Sequence, residues 1–327
     1  MGQPKVTPLP DGIDLAGKTA VITGASAGLG LETARQLLRL KCSTMVLAVR
    51  NVSKGEACVE QLMQDPIIRK NNPTIKVLKL DVERYDSIQA FTKELQQQLE
   101  VVDILILNAG IGRLQQERSP TGHEKTLQVN YLSNVLILAE LIPFLQESAT
   151  KTGSPARVTW VGSRMHETNE DFHSKGPFKY EESVFARFDD KKQYSTSSYG
   201  NSKLICAMFI YTLAPRLDTQ KIVLNTLCPG MINTGMADFL PLPLRVFFSI
   251  VQYIRARPVE DGGKLYVNAA VVAGSESHGK YLHDKDIIEK PSKFIQSSVG
   301  QLIQKKLWDE TLDEMKKIGA TLPSEFY

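Results

Sequence analysis

Apolar residues alternate between two spacings along the chain. Short, nearly unbroken apolar runs predict strands at Lys18–Thr23 (KTAVIT), Ser43–Ala48 (STMVLA), Ile75–Leu80, Val102–Leu107 (VDILIL), Arg157–Val161 and Ile222–Leu227. Between them, apolar positions at helical spacing predict helices over Leu29–Leu40, Ser53–Met63, Ser87–Leu99, about Gly122 to Leu145, and Ser197–Leu213. Strands joined through helices argue for a parallel sheet, because a parallel connection must cross from one end of the sheet to the other. Runs as apolar as VDILIL fit strands covered on both faces. The expectation is an α/β protein: a single doubly wound domain over 1–327, with a central parallel sheet and helices on both faces.

Two stretches stand outside this alternation. Residues 164–195, polar with scattered aromatics, read as an insertion before the Ser197–Leu213 helix. Residues 284–327 follow the last strand-like piece and read as a C-terminal helical extension. There Val299, Leu302, Ile303, Leu312 and Met315 form one apolar stripe that should pack back on the body.

Composition narrows the function classes. The chain is 42% hydrophobic and 23% charged, and 39 Lys+Arg against 36 Asp+Glu leave a net charge of +3. So even a balance argues against a nucleic-acid binder, which gathers basic charge on one surface. Cys42, Cys58, Cys206 and Cys228 are scattered without a CxxC pair. That argues against a disulfide framework or a zinc site, so no metal is expected, and it favours a reducing compartment. The first residues, MGQPKVTPLPDGID, lack the apolar core of a secretory signal, and Val6 stands where a myristoylation signal carries Ser or Thr. No apolar run approaches the ~20 residues of a membrane span. Leu240–Ile254, the nearest, is interrupted by Pro241, Pro243 and Arg245. A soluble, cytoplasmic protein is the expectation.

Candidate chemistry begins where the first strand ends. Thr23-Gly24-Ala25-Ser26-Ala27-Gly28-Leu29-Gly30 joins that strand to a helix. Glycines permit a tight turn and close backbone approach, and the helix start offers free N–H groups to a pyrophosphate. Thr23, Gly24, Ser26, Gly28, Leu29 and Gly30 are therefore candidate dinucleotide contacts, the alternative being a turn that binds nothing. The second strand ends in Ala48-Val49-Arg50-Asn51, with no acid to bind ribose hydroxyls. Arg50 suits a 2′-phosphate and favours NADP(H) over NAD(H); the alternative is a solvated surface arginine. Asp81 and Val82 follow the third strand, Asp81 as either an adenine contact or a loop cap. Asn108, Ala109 and Gly110 close the fourth, where side chains of such a sheet meet a ligand crevice.

Tyr199 and Lys203 are the central pair. Four residues apart on a helix, they share a face, so phenol and ammonium can stand over one ligand. A free phenol titrates near ~10, too high for easy proton exchange at neutrality, and a neighbouring Lys⁺ stabilises the phenolate. Ser163 follows the Arg157–Val161 strand and can hydrogen-bond a substrate oxygen. Asn130 sits mid-helix, where propensity disfavours it, and can hold a water that feeds protons to Lys203.

Together these residues resemble the short-chain dehydrogenase/reductases, over about Lys18 to Tyr281. TGASAGLG is similar to that family's TGxxxGxG, Asn108–Gly110 to its NNAG, and Asn130, Ser163, Tyr199 and Lys203 to its catalytic tetrad. Cys228–Thr234 (CPGMINT) resembles the family's PG segment, which implies cofactor contacts from Pro229, Gly230, Ile232 and Thr234, the threonine at the nicotinamide carboxamide. AVRN after the second strand, KGEA at Lys54–Ala57 and RPVEDGGKLY at Arg257–Tyr266 are similar to the retinol-dehydrogenase-like branch and its fungal secondary-metabolism relatives. Two departures exist. Leu107 replaces the first Asn of NNAG, and 36 residues separate Ser163 from Tyr199. The insertion must loop out if both are to reach one substrate; otherwise Ser195, Ser197 or Ser198 replaces Ser163.

The resemblance implies a Rossmann fold and a carbonyl–alcohol oxidoreductase acting on a hydrophobic small molecule, with no metal. Tyr199 would protonate the carbonyl oxygen, Ser163 would polarise it, Lys203 would bind the nicotinamide ribose, and Asn130 would keep the relay water. Residues 236–256, with Leu244, Phe247, Phe248 and Val251, read as a substrate lid; an amphipathic core helix and a membrane-surface or oligomer contact are the alternatives. His166, Phe172 and His173 either line the pocket mouth or lie on a loop surface. Reduction is the expected direction, because cells keep NADP mostly reduced. The other readings are a non-catalytic NADP-binding sensor, a retinol-type alcohol dehydrogenase and a Rossmann enzyme of non-redox chemistry. Association through the helices of Asn130 and Tyr199 implies a homodimer or homotetramer, which the C-terminal tail either blocks or extends.

Overall fold

A computed structural model of the chain describes residues 3–168, 178–195, 197–233, 255–289 and 292–327. Its strands are β1 (Thr19–Thr23), β2 (Thr44–Val49), β3 (Thr74–Lys79), β4 (Ile104–Leu107), β5 (Ala156–Val161), β6 (Ile222–Cys228), β7 (Tyr281–His283) and β8 (Asp286–Ile288). They form one sheet in the order β3-β2-β1-β4-β5-β6-β7-β8, parallel from β3 to β7, with β8 antiparallel at the edge. The order reverses between β1 and β4, which opens a crevice at their carboxyl ends.

Both faces of the sheet are buried, as the apolar runs require. Val21, Val46, Leu105 and Val158 join a core with α4 (Tyr85–Gln98), α6 (Ser133–Thr152) and α9 (Ser198–Leu213). Their strand neighbours Ala20, Ile22, Met45, Leu47, Ile104 and Ile106 join a second core with α1 (Gly28–Arg39), α2 (Val52–Met63), α3 (Pro66–Asn71) and α10 (Val259–Val267). The glycine of KGEA has a packing cause. A Cβ on Gly55 would lie 2.5 Å from Val77 and 2.9 Å from Val49, so only glycine lets α2 lie this close to the sheet.

Three elements differ from the sequence expectation. First, residues 284–288 belong to the sheet, since β7 and β8 form a hairpin whose three-residue strands are too short to show a period. The helical extension therefore begins with α11 (Lys293–Gln296) and α12 (Ser298–Lys317). On α12 the buried residues are Gly300, Ile303, Leu307, Trp308, Thr311, Glu314 and Met315, whereas Val299 is 41% exposed and outside the stripe. Second, the helix foreseen over about Gly122 to Leu145 is a short turn, α5 (Lys125–Leu127), a π turn at Gln128–Leu132, and then α6. This run, Lys125–Thr152, is long and apolar enough to cross a membrane, but it is mostly buried in the protein and serves as a core helix. Polar Asn130, Ser133 and Asn134, all buried, hide it from a search for unbroken apolar runs.

Third, residues 164–195 do not simply loop out. Besides α7 (Met165–Thr168), they contain α8 (Val184–Asp189), which buries Val184, Phe185 and Phe188. Glu310 of α12 caps its start, accepting from Ser183 Oγ and from the N–H groups of Val184 and Phe185 at 2.8–2.9 Å. At its end, Asp189 meets His123 Nδ1 at 2.9 Å, and Glu314 of α12 meets His123 Nε2 at 3.2 Å. Trp308 stacks on Phe209 of α9 at 5.4 Å, and Phe326 lies 5.9 Å from the same ring.

Candidate active site

The crevice at the β1/β4 reversal is built by hydrogen bonds between the two strand ends. Thr23, fully buried, accepts the N–H groups of Asn108 and Ala109 on its hydroxyl, each at 3.0 Å. Asn108 Nδ2 donates to Thr23 O at 2.9 Å and to Gly24 O at 3.2 Å, while its Oδ1 accepts from Tyr266 Oη at 3.0 Å. Gly24 (φ +67°) and Gly28 (φ +56°) occupy left-handed backbone. A Cβ on Gly30 would stand 2.7 Å from both Gly24 O and Asn108 Nδ2, so the motif glycine is fixed by backbone approach. Ala27 precedes α1 and provides no side-chain cap, which leaves the first N–H groups of that helix to another partner. Ser26 contributes its carbonyl to Cys58 Sγ at 3.4 Å. Leu29 and Ile232 of the PG segment both close on Gly262: a side chain there would collide with Leu29 and come within 3.1 Å of Ile232.

Arg50 stands at the rim. Its side chain is 71% exposed, with Nη1 3.3 Å from Glu83 Oε1, and Glu83 also pairs with Lys125 at 3.2 Å. Asp81 Oδ1 accepts the N–H of Glu83 at 3.1 Å, and the Asp81 N–H donates to Ser87 Oγ at 2.9 Å. Loop capping, one of its two sequence readings, is what the structure displays. Val82 is half-buried beside it and gives its carbonyl to Ser133 Oγ.

Asn130, in the π turn, is 0% exposed. Its Oδ1 accepts the Ile111 N–H at 2.8 Å, and its Nδ2 donates to Ile111 O and to Ser202 Oγ, each at 2.9 Å. The side-chain amide thus ties the loop after Gly110 to α9. Lys203 is 5% exposed, its Nζ donating to Val161 O at 2.8 Å and lying 5.8 Å from the centre of the Tyr199 ring. A Cβ on Gly110 would fall 3.2 Å from Asn130 Oδ1 and 3.5 Å from Lys203 Nζ. Gly110, Asn130, Tyr199, Lys203 and the end of β5 therefore converge on one spot.

Ser163 follows β5 by two residues and is half-buried, its Oγ accepting from the Met165 N–H at 3.2 Å. Its carbonyl takes the His166 backbone N–H at 3.1 Å and His166 Nδ1 at 2.6 Å. His166 is 2% exposed and lies edge-on to Tyr281 at 4.5 Å, neither at a pocket mouth nor on a surface. Burial holds its pKa below the ordinary 6.5, so the ring is neutral and Nδ1–H donates. The α7 helix packs along α9, and Lys203 Nζ of α9 reaches the carbonyl of Val161, two residues before Ser163. Among the alternative serines, Ser195 and Ser198 bond within the turn that opens α9: Ser195 Oγ takes the Ser197 N–H and Ser198 Oγ the Ser195 N–H, both at 3.2 Å.

Pro229, Gly230 and Ile232 follow β6 toward the same crevice. Cys228 Sγ accepts from the N–H groups of Arg164 at 3.2 Å and Gly230 at 3.3 Å, and so ties the exit of β5 to that of β6. Burial raises the Cys228 thiol above its ordinary range. Thr234, Phe172, His173 and most of the lid segment, with Leu244, Phe247, Phe248 and Val251, lie outside the described residues. Sequence reasoning named His166 only as a pocket-mouth or surface residue, Cys228 only as the head of the PG segment and Tyr266 only as the end of RPVEDGGKLY, and it missed the bonds they make here.

Fold and site together define the class: a doubly wound α/β protein with a glycine-rich turn at the crevice that opens where its strand order reverses. The short chain dehydrogenase family model matches residues 18–168. The short chain dehydrogenase yanD of Aspergillus niger is 58% identical over 99% of this chain and 98% of its own length. The short chain dehydrogenase macD of Penicillium terrestre is 57% identical over the same shares. The chain belongs to the short-chain dehydrogenase/reductase family. In fold it is similar to the 3-oxoacyl (acyl-carrier-protein) reductase of Agrobacterium tumefaciens C58, solved with NADP bound: TM-score 0.62, 20% identity, covering 83% of this chain and 94% of that one.

Proposed function

We propose that this protein uses NADP(H) to interconvert a ketone or aldehyde and an alcohol on a hydrophobic small molecule, a secondary-metabolite intermediate, in the reductive direction. The observation that carries the reading is the environment of Lys203. Its ammonium is nearly fully buried, donates to a backbone carbonyl, and among the described residues has no carboxylate partner. A buried cation without a counter-ion is costly, and such groups persist where a ligand or reacting group completes them.

A nicotinamide cofactor would supply the hydride when bound; this chain's own residues would do the rest. Tyr199 gives its proton to the carbonyl oxygen, and the Lys203 ammonium stabilises the charge left on the phenolic oxygen. Ser163 donates a hydrogen bond to the same substrate oxygen, and Asn130 keeps Gly110 and Ile111 against Lys203. Thr23, Gly24, Ser26, Gly28, Leu29 and Gly30 surround the pyrophosphate. Asn108, Ala109, Gly110, Pro229, Gly230 and Ile232 would hold the nicotinamide half, with Asp81 and Val82 at the adenine, and the family resemblance assigns Thr234 to the nicotinamide carboxamide. Arg50, exposed at the rim, meets the 2′-phosphate. No acid replaces it at that strand end, which supports NADP(H) over NAD(H).

Absorbance loss at 340 nm, measured with NADPH and with NADH on bulky hydrophobic ketones, tests the reading. Wild-type protein is expected to consume NADPH preferentially. Tyr199→Phe is expected to lower turnover by about 10³-fold while the NADPH dissociation constant stays within about twofold. Near wild-type turnover in that variant overturns the role of the phenol.

A further inference from the structure

The backbone around Pro229, Gly230 and Ile232 is gripped from a side that the catalytic residues do not touch. Residues 3–8 run across it. The Gln3 amide pairs reciprocally with Met231, Nε2 donating to Met231 O at 2.7 Å and Oε1 accepting the Met231 N–H at 2.9 Å. The same Nε2 donates to Arg255 O at 3.0 Å. Gly230, at φ +75°, permits this approach, because a Cβ there would collide with Gln3 Oε1.

Arg257 completes the grip from below. It is 6% exposed, and its guanidinium donates to Pro4 O through Nε at 3.1 Å and Nη2 at 2.9 Å. It forks onto both oxygens of Asp284 at the β7–β8 turn, with Nη2 at 2.8 Å from Oδ2, and Nη1 reaches Pro229 O at 3.4 Å. Its main chain pairs with the PG segment as well: Arg257 N–H to Met231 O at 2.9 Å, and Asn233 N–H to Arg257 O at 3.1 Å. Lys285 fastens the arm further along, donating to Thr7 O and Pro8 O at 2.8 Å. A loop whose carbonyls and N–H groups are tied in this way is preorganised, so a ligand that contacts it has less freedom to remove on binding.

We propose that Gln3 and Arg257 are positioning residues for the nicotinamide end of the cofactor site. The arm of residues 3–8 fixes the backbone of Pro229–Ile232, and through it the half of the dinucleotide that carries the redox chemistry. The adenosine end, held by the glycine turn and Arg50, is independent of the arm. The inference rests on the proposed nicotinamide contacts of the PG segment.

Gln3→Ala and Gln3→Glu test it, the second keeping an acceptor for the Met231 N–H while removing the donor to Met231 O and Arg255 O. Amide hydrogen exchange on the ligand-free proteins is expected to quicken at Met231, Asn233 and Arg257 and to stay unchanged in β1 and α9. Unchanged exchange at those three amides overturns the arm, whatever the cofactor does. Binding is then compared for NADPH and for 2′,5′-ADP, which keeps the adenosine half and lacks the nicotinamide. The NADPH dissociation constant is expected to rise about tenfold in both variants, and that of 2′,5′-ADP by less than about twofold. Quickened exchange with both ligands bound as in wild type, or both weakened alike, overturns instead the nicotinamide contacts of Pro229–Ile232, and the positioning role with them.

Discussion

The best-determined residues of the site are those that leave no room for a different neighbour. Gly30 is of this kind, since an added methyl would stand 2.7 Å from Gly24 O; at Gly110 an added methyl would press on Asn130 Oδ1 at 3.2 Å, a tight contact rather than a closed one. Ser163 is set differently, by the imidazole of His166 on its carbonyl. His166→Phe keeps the buried ring beside Tyr281 and deletes that bond. Steady-state kinetics are expected to show kcat about tenfold lower with NADPH affinity unchanged, because small misplacements of a group at the reacting atoms are expensive. An unaltered kcat would detach His166 from the site. Tyr199, Lys203 and the glycine turn were legible from sequence because each motif is contiguous or one helical turn long. The bonds of His166, Gln3 and Arg257 to backbone carbonyls were not, since a carbonyl leaves no trace in the identity of the residue that offers it.

At the scale of elements, the long strands and the helices α1, α2, α4 and α9 were readable to within about two residues, whereas α6 runs on to Thr152 and the irregular pieces were not foreseen. The π turn at Gln128–Leu132 adds one residue to a turn without changing the apolar spacing on either side, so periodicity reads straight through it. The union of α8 with α12 was also hidden, because it rests on charge between distant segments. Burial opposes a charge on His123, but bonds to Asp189 and Glu314 outweigh it and raise the imidazole from 6.5 to about 9. His123, with Lys317, in turn outweighs burial at Glu314 and lowers that carboxyl from 4.5 to about 2. The raised imidazole contributes stability fully present below 6.5 and lost as pH rises through about 9. The lowered carboxyl contributes stability present above 4.5 and lost as pH falls toward about 2. Thermal unfolding followed against pH is expected to lose a few degrees between 6.5 and 9, and His123→Gln to flatten that slope. An equal slope in the variant would place the titration elsewhere.

For the whole molecule, the C-terminal helix decides how α9 is enclosed. Trp308 and Phe326 cover Phe209, Tyr131 Oη meets Thr311 Oγ1 at 2.7 Å, and Gln304 Nε2 meets Thr212 Oγ1 at 2.8 Å. While α12 is docked, the part of α9 around Phe209 is closed to a second copy of the chain. Trp308→Ala is expected to destabilise the fold by about 3–5 kcal/mol, read from the denaturant midpoint, through the cavity left against Phe209 and the lost stacking on it. A loss under about 1 kcal/mol would mean that the helix lies on the body without holding it. The order of synthesis gives this enclosure a further meaning. Residues 298–326 leave the ribosome well after the helix that carries Tyr199 and Lys203, so the nascent chain carries that helix with its apolar back still bare. The core around Phe209 is thus sealed late in synthesis, after the helix that carries Tyr199 and Lys203 has already been made.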